Sequence, residues 1–268
     1  MLAQIIRWGS PVTDSAQAWA DAVRRAGGSV SANRLAVVRT FVAAERASGA
    51  WDLTDDYWVL WAENATQALT SLKQRRLATA VNTPTFTADR QYTFDGATNY
   101  INTGFIPGMH GLVMSATSVH LEVYERTDVN ANNVSVGVNS TVNRGLVVRP
   151  RTGSNALLLS NSASATYTLP ASTSLRLTQA GRAGSLPTDA YGAKDGVSMA
   201  RTVDAAAVGA SLPVDALFIG CTNTSGTPGS FRAASIGFVS IGAALSGAQR
   251  LARSNAVQAC ATSVGANV

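Results

Sequence analysis

Few side chains in this 268-residue sequence have the types and spacing that acid–base or metal chemistry requires. The two histidines, His110 and His120, do not form a metal-ligand spacing with the two cysteines, Cys221 and Cys260. No Gly-x-Ser-x-Gly sequence marks a nucleophilic serine, although a Ser-His-Asp triad can also join distant residues. We expect packing or surface roles for the histidines and buried thiols for the cysteines, with a disulfide between them left open.

The nearest approach to a paired-carboxylate site is Glu122 with Glu125, in a segment that has the composition of a β-strand. Side chains alternate between the two faces of a strand, so these carboxylates are predicted to point in opposite directions. Glycosidases need two carboxylates that face one cleft, about 5 to 9 Å apart. The sequence also lacks a glycine-rich phosphate-binding motif. We therefore predict no catalytic residues and no enzymatic activity, and a glycosidase is the weakest of three functional hypotheses.

A group of Asp and Asn residues in the middle of the chain could supply oxygen ligands to a calcium ion. The candidates are Asp128, Asn130 and Asn132, with Asp95 and Asn99 as further contributors. The same residue types shape turns, because their side chains accept hydrogen bonds from nearby backbone N–H groups. Turn formation is the favoured interpretation, and calcium is the only cofactor that the sequence leaves open.

The charge of the chain argues against several classes of partner. The formal net charge is +5, but charged residues make up only 14% of the sequence and the basic residues are spread along it. The adjacent pairs Arg24-Arg25 and Arg75-Arg76 fit solvated helix faces better than a nucleic-acid site. The first residues do not have the pattern of a signal peptide, and no apolar run is long enough to span a membrane. We expect no nucleic-acid partner, no membrane insertion, and folding in a cytoplasm.

Residues 1–82 are predicted to form a helical docking or oligomerisation segment, because their apolar residues recur at helical spacing between capping signals. The first predicted helix has start signals at Ser10-Pro11, Thr13 and Asp14 and ends at Gly27-Gly28. The second runs from Ser31 to Ser48, and the third from near Thr54 towards Leu72. All five tryptophans lie in this segment. Large aromatic residues in so small a unit mark its core or an exposed face that invites a partner. The predicted docking face consists of Trp19, Trp51, Trp58 and Trp61.

Residues 83–268 change to short strand-forming runs separated by turn clusters, which indicates an antiparallel β-sandwich. The predicted strands are Gln91 to Phe94, Val119 to Arg126, Val134 to Val138, Gly145 to Arg149, Ala156 to Leu159, Ser174 to Gln179, Gly181 to Leu186, Leu217 to Cys221 and Phe231 to Ile241. The stretch from Phe94 to Pro107 is predicted to be an opening hairpin, with a tight turn at Asp95-Gly96. Ser246 is the predicted N-cap of a final helix.

Several segments resemble tailed-phage virion structural proteins that carry a concanavalin A-like, or laminin-G-like, domain. These segments are residues 94–105 (FDGATNYINTGF), 217–223 (LFIGCTN), 231–242 (FRAASIGFVSIG) with the helix that follows, and 49–52 and 65–73 in the helical lead. The resemblance implies an α+β chain: a small N-terminal helical unit, then a concanavalin A-like antiparallel β-sandwich (jelly roll) with a C-terminal helix.

The same resemblance implies a non-enzymatic protein exposed on the virion, as a tail fibre or tail-tip, head-spike or decoration component. Such a protein is synthesised in the bacterial cytoplasm. Its implied partners are other virion proteins, bound through the N-terminal segment, and copies of itself, with a homotrimer favoured. Contact with the host surface is a further implied role.

A lectin-like module that binds cell-surface glycans is the alternative hypothesis. Sugar sites place an exposed aromatic ring beside polar loops, but the predicted sandwich contains no tryptophan. Tyrosines would have to supply the rings. The candidate glycan contacts are Tyr100, Tyr124, Tyr167 and Tyr191.

Overall fold

The computed structural model describes residues 14–140, 144–154, 156–161, 167–200 and 211–268. Within these residues the helices are α1 (Ser15–Arg25), α2 (Ala32–Ala47), α3 (Ala65–Leu69), α4 (Pro107–His110) and α5 (Gly247–Ser263), with a short 3-10 helix at Pro187–Asp189. The strands are β1 (Thr54–Val59), β2 (Thr79–Val81), β3 (Thr85–Thr87), β4 (Gln91–Thr93), β5 (Tyr100–Asn102), β6 (Ser118–Glu125), β7 (Val136–Asn139), β8 (Gly145–Arg149), β9 (Ala156–Asn161), β10 (Tyr167–Pro170), β11 (Arg176–Ala183), β12 (Ala190–Lys194), β13 (Val197–Ser198), β14 (Phe218–Ile219), β15 (Thr222–Thr224), β16 (Thr227–Gly229) and β17 (Ser235–Gly242).

The described strands form two sheets. The first sheet has the order β13-β12-β11-β6-β17-β4-β3, and β1 also pairs with β17. The second sheet has the order β10-β9-β8-β7-β14-β5-β2, with β15 and β16 attached beside β7. Pairing is antiparallel except between β15 and β7, which run parallel. The chain passes between the sheets repeatedly, among other places after β6, β10, β13 and β16, as in a jelly roll.

The main hydrophobic core fills the space between the two sheets. Val119, Leu121 and Val123 of β6 face it from the first sheet, and Ile101 and Ile219 face it from the second. These side chains are buried together because alternate residues of each strand point to the same side. The two packed sheets, with helices before and after them, confirm the predicted α+β sandwich.

The three longest helices cover the outer face of the first sheet. A second core at this face joins Val23 of α1, Phe41 of α2 and Val257 of α5 to Tyr124 of β6 and Phe238 of β17. The central strands β6, β11 and β17 of the first sheet are therefore buried on both sides, whereas its edge strands β13 and β3 are partly exposed. The predicted caps Ser31 and Ser246 are also confirmed, since their side chains accept backbone hydrogen bonds at the starts of α2 and α5. Asp14, one of the predicted start signals, caps α1 in the same way.

The predicted third helix is wrong over most of its length. Residues Thr54–Val59 form β1, and only Ala65–Leu69 are helical. Trp58 and Trp61 have helical spacing, but Trp58 faces the core between the sheets and Trp61 faces the core under the helices. A strand buried on both sides lacks polar–apolar alternation, so its sequence is easily taken for a helix. Because β1 pairs with β17, residues on both sides of the predicted boundary at 82 share the same two cores.

The stretch from Phe94 to Pro107 is an arch and not the predicted hairpin, because β4 belongs to the first sheet and β5 to the second. The predicted turn itself is present. Asp95 Oδ1 accepts hydrogen bonds from the N–H groups of Ala97 and Thr98 at 2.8 and 2.9 Å. Gly96 adopts a φ of 73°, which a glycine tolerates without strain.

Strand β8 has the predicted bounds, and other predicted strands are confirmed with shifted ends, namely β4, β6, β7, β9, β14 and β17. The strands predicted at 174–179 and 181–186 are one strand, β11, because Gly181 continues the pairing with β6. No helix in the described parts of the chain is long and apolar enough to cross a bilayer.

Candidate functional site

Strand β5 presents an aromatic ring on the outer face of the second sheet. Ile101 is fully buried in the core, so its neighbours Tyr100 and Asn102 point outward. The Tyr100 ring centroid lies 4.6 Å from that of Phe218 and 6.3 Å from that of Phe231. Phe218 is buried, whereas Tyr100 and Phe231 are half-buried. We call these three rings the aromatic platform.

Polar groups border the aromatic platform. Among the described residues the Tyr100 hydroxyl has no hydrogen-bond partner, and partial burial raises the pKa of that hydroxyl. Asn102 lies on the same face, and its cross-strand neighbour in β2 is the exposed Thr79. A half-exposed ring beside an amide and hydroxyl groups can stack on a sugar ring and hydrogen-bond to its hydroxyls.

Tyr124, predicted to contact glycans, is fully buried, so this prediction is wrong. The Tyr124 ring packs edge-on against Trp61, with centroids 5.2 Å apart. Its hydroxyl donates to Asn267 Oδ1 at 2.7 Å. Position 124 faces outward on β6, but the helices cover that face and leave no room for a ligand.

Tyr191 is half-buried and engaged by the protein itself. Its hydroxyl accepts a hydrogen bond from the N–H group of Leu245 at 2.9 Å. The Arg250 guanidinium carbon lies 4.1 Å from the Tyr191 ring centroid, which covers the ring. Tyr167 lies in β10, and its side chain is outside the described part of the structure.

The predicted docking face is inside the molecule, so that prediction needs correction. Trp19, Trp51, Trp58 and Trp61 each expose 6% or less of their surface. The reason is that the helical lead does not stand alone, since β1 and the helices pack on the first sheet. Trp61, for example, stacks on Phe238 of β17 with ring centroids 6.0 Å apart.

The loop that carries the calcium candidates Asp128, Asn130 and Asn132 is organised around the fully buried Arg232. The Arg232 guanidinium donates to backbone carbonyl oxygens at distances from 2.8 to 3.3 Å. These carbonyl groups belong to Val129, Ala131, Asn133 and Arg151. A ring of loop carbonyls is the kind of ligand set that calcium prefers, so the arginine supplies a positive charge where such an ion would need to lie.

The described residues contain no group of three His, Cys, Asp or Glu side chains that could hold a metal ion. Asp128 accepts from Arg151 Nη1 at 2.7 Å and from the N–H group of Ser174 at 2.8 Å. Burial opposes ionisation, but these hydrogen bonds lower the pKa of Asp128. Backbone hydrogen bonds likewise hold the pKa of Asp95 well below its usual range, and Asn99 Oδ1 accepts from the Asp95 N–H group at 2.9 Å. These residues shape turns, as predicted, and calcium binding stays an untested prediction.

Glu122 and Glu125 point to opposite faces of β6, as the alternation predicted. Glu125 accepts from Arg232 Nε at 2.7 Å, and both side chains are fully buried. Glu122 lies under the helices and accepts from Arg253 Nη1 at 2.7 Å. Each carboxylate is therefore neutralised by a different arginine, and the two do not face a common cleft.

Arg253 of α5 is the centre of a buried charge cluster with Glu45 of α2 and Glu122 of β6. Its Nε lies 2.6 Å from Glu45 Oε2, and its Nη2 donates to Thr54 Oγ1 at 2.6 Å. The Tyr57 hydroxyl donates to Glu45 Oε2 at 2.8 Å. Burial opposes the positive charge, but the two carboxylates raise the pKa of Arg253. The cluster joins two helices to the first sheet.

Asp56 is a buried carboxylate in β1. Its Oδ1 accepts hydrogen bonds from the N–H groups of Tyr57, Lys73 and Gln74 at 2.9, 3.0 and 3.2 Å. Burial raises the pKa of Asp56 to about 6, although these hydrogen bonds favour the ionised form. This carboxyl group fixes the start of the 73–76 turn.

The histidines have the expected packing roles. His120 is buried, its Nδ1 is hydrogen-bonded to the carbonyl of Ala243, and burial lowers its pKa to about 4. His110 Nδ1 accepts from the N–H group of Ile106 at 2.8 Å.

Both cysteines are buried free thiols, which answers the question of their pairing. Burial raises the pKa of Cys221 to about 12 and that of Cys260 to about 11. Neither thiol is therefore a nucleophile at neutral pH.

Sequence reasoning missed Arg232, Arg253 and the two phenylalanines of the platform. A signal for Arg253 exists in the sequence, because positions 250, 253, 254, 257 and 260 share one face of α5. An arginine on the helix face that also carries Val257 and Cys260 indicates a buried carboxylate partner. For Phe231 the sequence offers no signal, because it meets Tyr100 only in the folded chain.

The fold and these contacts define a two-sheet β-sandwich protein with helices on one face. No family model and no curated protein matches its sequence. Domain 4 of AbnA, a GH43 extracellular arabinanase from Geobacillus stearothermophilus solved with arabinotriose, is similar at 14% identity and a TM-score of 0.47, covering 75% of this chain and 98% of that one.

A Trypanosoma rangeli sialidase mutant that displays trans-sialidase activity is similar at 12% identity and a TM-score of 0.44, over 82% of this chain and 38% of that one. The Ruminococcus gnavus IT-sialidase CBM40 bound to alpha2,3 sialyllactose is similar at 19% identity and a TM-score of 0.35, over 51% and 79%. Similarity at this level assigns neither an activity nor a ligand to this chain.

Proposed function

We propose that this chain is a non-enzymatic structural protein of a tailed-phage particle, displayed on the virion surface. The resemblance of residues 94–105, 217–223 and 231–242 to such proteins motivates the proposal. The proposal that the protein is not an enzyme is supported by the contacts of its buried acidic residues. Glu45, Glu122 and Glu125 neutralise arginines.

The buried aspartates serve the fold in the same way. Asp55 and Asp56 bind backbone N–H groups. Each of the five acids buried in the described structure thus has a structural partner, which supports a role in the fold, whereas general acid or base catalysis needs a group poised in a cleft.

Assembly belongs to the same proposal. The chain is made in the bacterial cytoplasm, joins other virion proteins and associates with its own copies, with a trimer favoured by the resemblance. Light scattering of the purified chain tests the trimer, with an expected mass three times that of the 27.7 kDa monomer. A monomeric mass at micromolar concentration contradicts it.

The decisive test of the virion role is to look for the chain in purified particles. Antibody labelling in electron microscopy and quantitative mass spectrometry are applied to particles from the phage that encodes it. We expect labelling at one location, on head or tail, with a fixed copy number relative to the major capsid protein. Absence from particles, with the chain present in the lysate, overturns the proposal.

A lectin-like role is the second candidate, and the aromatic platform is the observation that favours it. Tyr100 is the predicted glycan contact whose ring lies on the outer face of the second sheet with an unpartnered hydroxyl among the described residues. Residues Asn102 and Thr79 add an amide and a hydroxyl on the same face.

A glycan array tests this role. For any glycan that binds saturably, Tyr100→Ala is expected to weaken binding about tenfold or more, because it removes the stacking ring. Tyr100→Phe keeps the ring and is expected to retain most of the affinity. Val197→Ala, at the far edge of the first sheet, is the control. Saturable binding that Tyr100→Ala leaves unchanged contradicts a site at the platform.

A further inference from the structure

Exposed aliphatic residues concentrate at one end of the molecule. Five of the nine large hydrophobic side chains that are exposed in the described structure lie on three segments at this end. They are Leu77, Met109, Leu112, Val113 and Val214, and we call them the apolar tip. Met109 exposes 70% and Leu112 exposes 81% of its surface. Apolar surface gathered in this way marks an interaction site more often than single exposed residues do.

Direct hydrogen bonds hold the three segments together. The N–H group of Gly108 donates to the carbonyl of Pro213 at 2.8 Å, which places Val214 beside the loop of Met109. Gln74 Nε2 donates to the carbonyl of His110 at 2.9 Å, which attaches the hairpin ending at Leu77. These contacts place the three segments that carry the exposed side chains next to one another.

The loop that carries Leu112 and Val113 is fixed in place by a buried acid. Asp55 accepts hydrogen bonds from the N–H groups of Leu112, Val113 and Met114 at 2.6, 3.0 and 3.1 Å. The exposed side chains are thus presented on an ordered backbone. A preorganised loop loses little conformational entropy on binding, which favours a shaped protein partner.

The rim of the apolar tip is basic. Arg75 is exposed and Arg76 half-buried at the hairpin turn, and neither forms an ion pair within the described part of the chain. Two acids also lie at this end: the half-buried Asp215, next to Val214, and the buried Asp55, under the loop of Leu112. A second copy would present the same basic rim and not an acidic one, so the charges favour a different partner. The tip also has no Trp or Tyr, the residues that anchor proteins at a lipid interface.

We propose that the apolar tip docks this chain onto a different protein subunit of the virion, whose surface has an apolar centre and an acidic rim. This inference rests on the proposed virion role and replaces the tryptophan face as the docking surface. The aliphatic side chains supply the buried centre of the contact, and Arg75 and Arg76 meet the acidic rim.

The test measures how many copies of each variant enter purified particles when the phage carries the variant gene. Met109→Asp and Leu112→Asp are expected to lower the copy number at least about tenfold, because each places a charge at the centre of the contact. Val197→Asp is the matched control, since Val197 is 66% exposed at the opposite edge of the first sheet from β1. Arg75→Glu is expected to lower incorporation about threefold, and Arg25→Glu on α1 to leave it unchanged.

Thermal melting of each variant checks that the variant folds. The substituted positions are exposed, so we expect every variant to fold. Normal incorporation of folded Met109→Asp and Leu112→Asp, with the wild type present in particles, overturns this inference and leaves the virion role standing. Absence of the wild type from particles overturns both. If the chain floats with phosphatidylglycerol vesicles and Met109→Asp abolishes this, the apolar tip binds lipid and the docking proposal is overturned. If sedimentation shows dimers that Met109→Asp dissociates, the apolar tip binds a second copy and the docking proposal is likewise overturned.

Discussion

The outer face of the first sheet is covered by helices, whereas the outer face of the second sheet is partly exposed to solvent. Helices α1, α2 and α5 cover the first sheet, and the charges of Glu45, Glu122 and Arg253 are sealed beneath them. On the second sheet, by contrast, Tyr100 and Asn102 remain half-exposed on β5. The covered face contains the buried interactions that stabilise the fold. The open face and the apolar tip present surface that another molecule can contact. Substitutions on the two faces should therefore separate stability from binding.

The largest effect is expected at Arg253. Replacing it with Met leaves Glu45 and Glu122 buried without a counter-ion, which should lower the free energy of unfolding by about 3–5 kcal/mol. Urea denaturation measures the loss. Arg39→Met is the control, because Arg39 pairs with Asp14 on the surface and should cost less than about 1 kcal/mol. Equal losses in the two variants would contradict the importance of burial.

A somewhat smaller effect is expected at Arg232, between the sheets, where one carboxylate depends on it. Arg232→Met should lower the free energy of unfolding by about 3 kcal/mol, since Glu125 and several loop carbonyls lose their donor.

The melting temperature of the wild type should be the same in EDTA and in millimolar calcium. A rise that grows with calcium concentration would show that the folded chain binds the ion.

A pH effect is expected at Asp56, on the covered sheet. Because the pKa of Asp56 is about 6 in the folded chain and near 4 in the unfolded chain, the folded state holds more protons between these values. Asp56 thus lowers stability as the pH rises from about 4 to 6, by about 2–3 kcal/mol. Asp56→Asn, which keeps the Oδ1 acceptor, should remove this part of the pH dependence. If the wild type and Asp56→Asn showed the same change in the free energy of unfolding between pH 4 and 6, the raised pKa of Asp56 would be contradicted.

The smallest effect on stability is expected at Tyr100, on the open face. Tyr100→Ala removes a half-exposed ring and should cost about 1 kcal/mol. Trp61→Ala, at a fully buried ring of the covered face, should cost about 3–5 kcal/mol. If the two losses measured by urea denaturation were equal, the contrast between open and covered faces would not hold.

The sequence predicts the elements whose signals are local. Asp14, Ser31 and Ser246 mark helix starts through side-chain caps, and most strands of the second half follow from alternation and turns. Strand β1 could not be found in this way, because both of its faces are buried and its tryptophans mimic helical spacing. Its identity depends on β17, which lies nearly 180 residues later in the chain.

The candidate sites show the same limit. Tyr100 could be proposed because it is one of the few tyrosines of a predicted sandwich without tryptophan, but its partners Phe218 and Phe231 come from distant segments. The tryptophan face failed because exposure depends on what packs against a segment, and composition does not contain that information. The apolar tip could not be predicted either, because Met109 and Leu112 are apolar residues that the sequence alone suggests are buried.

The separation between Arg253 and its partners has a consequence for the timing of synthesis. Arg253 follows Glu45 by 208 residues and Glu122 by 131. At about 5–20 residues per second, a ribosome needs about 10–40 s to make the stretch between Glu45 and Arg253. We expect both glutamates to stay hydrated during that interval, so that the helical cover closes over the sheet only after all of the described strands have been made.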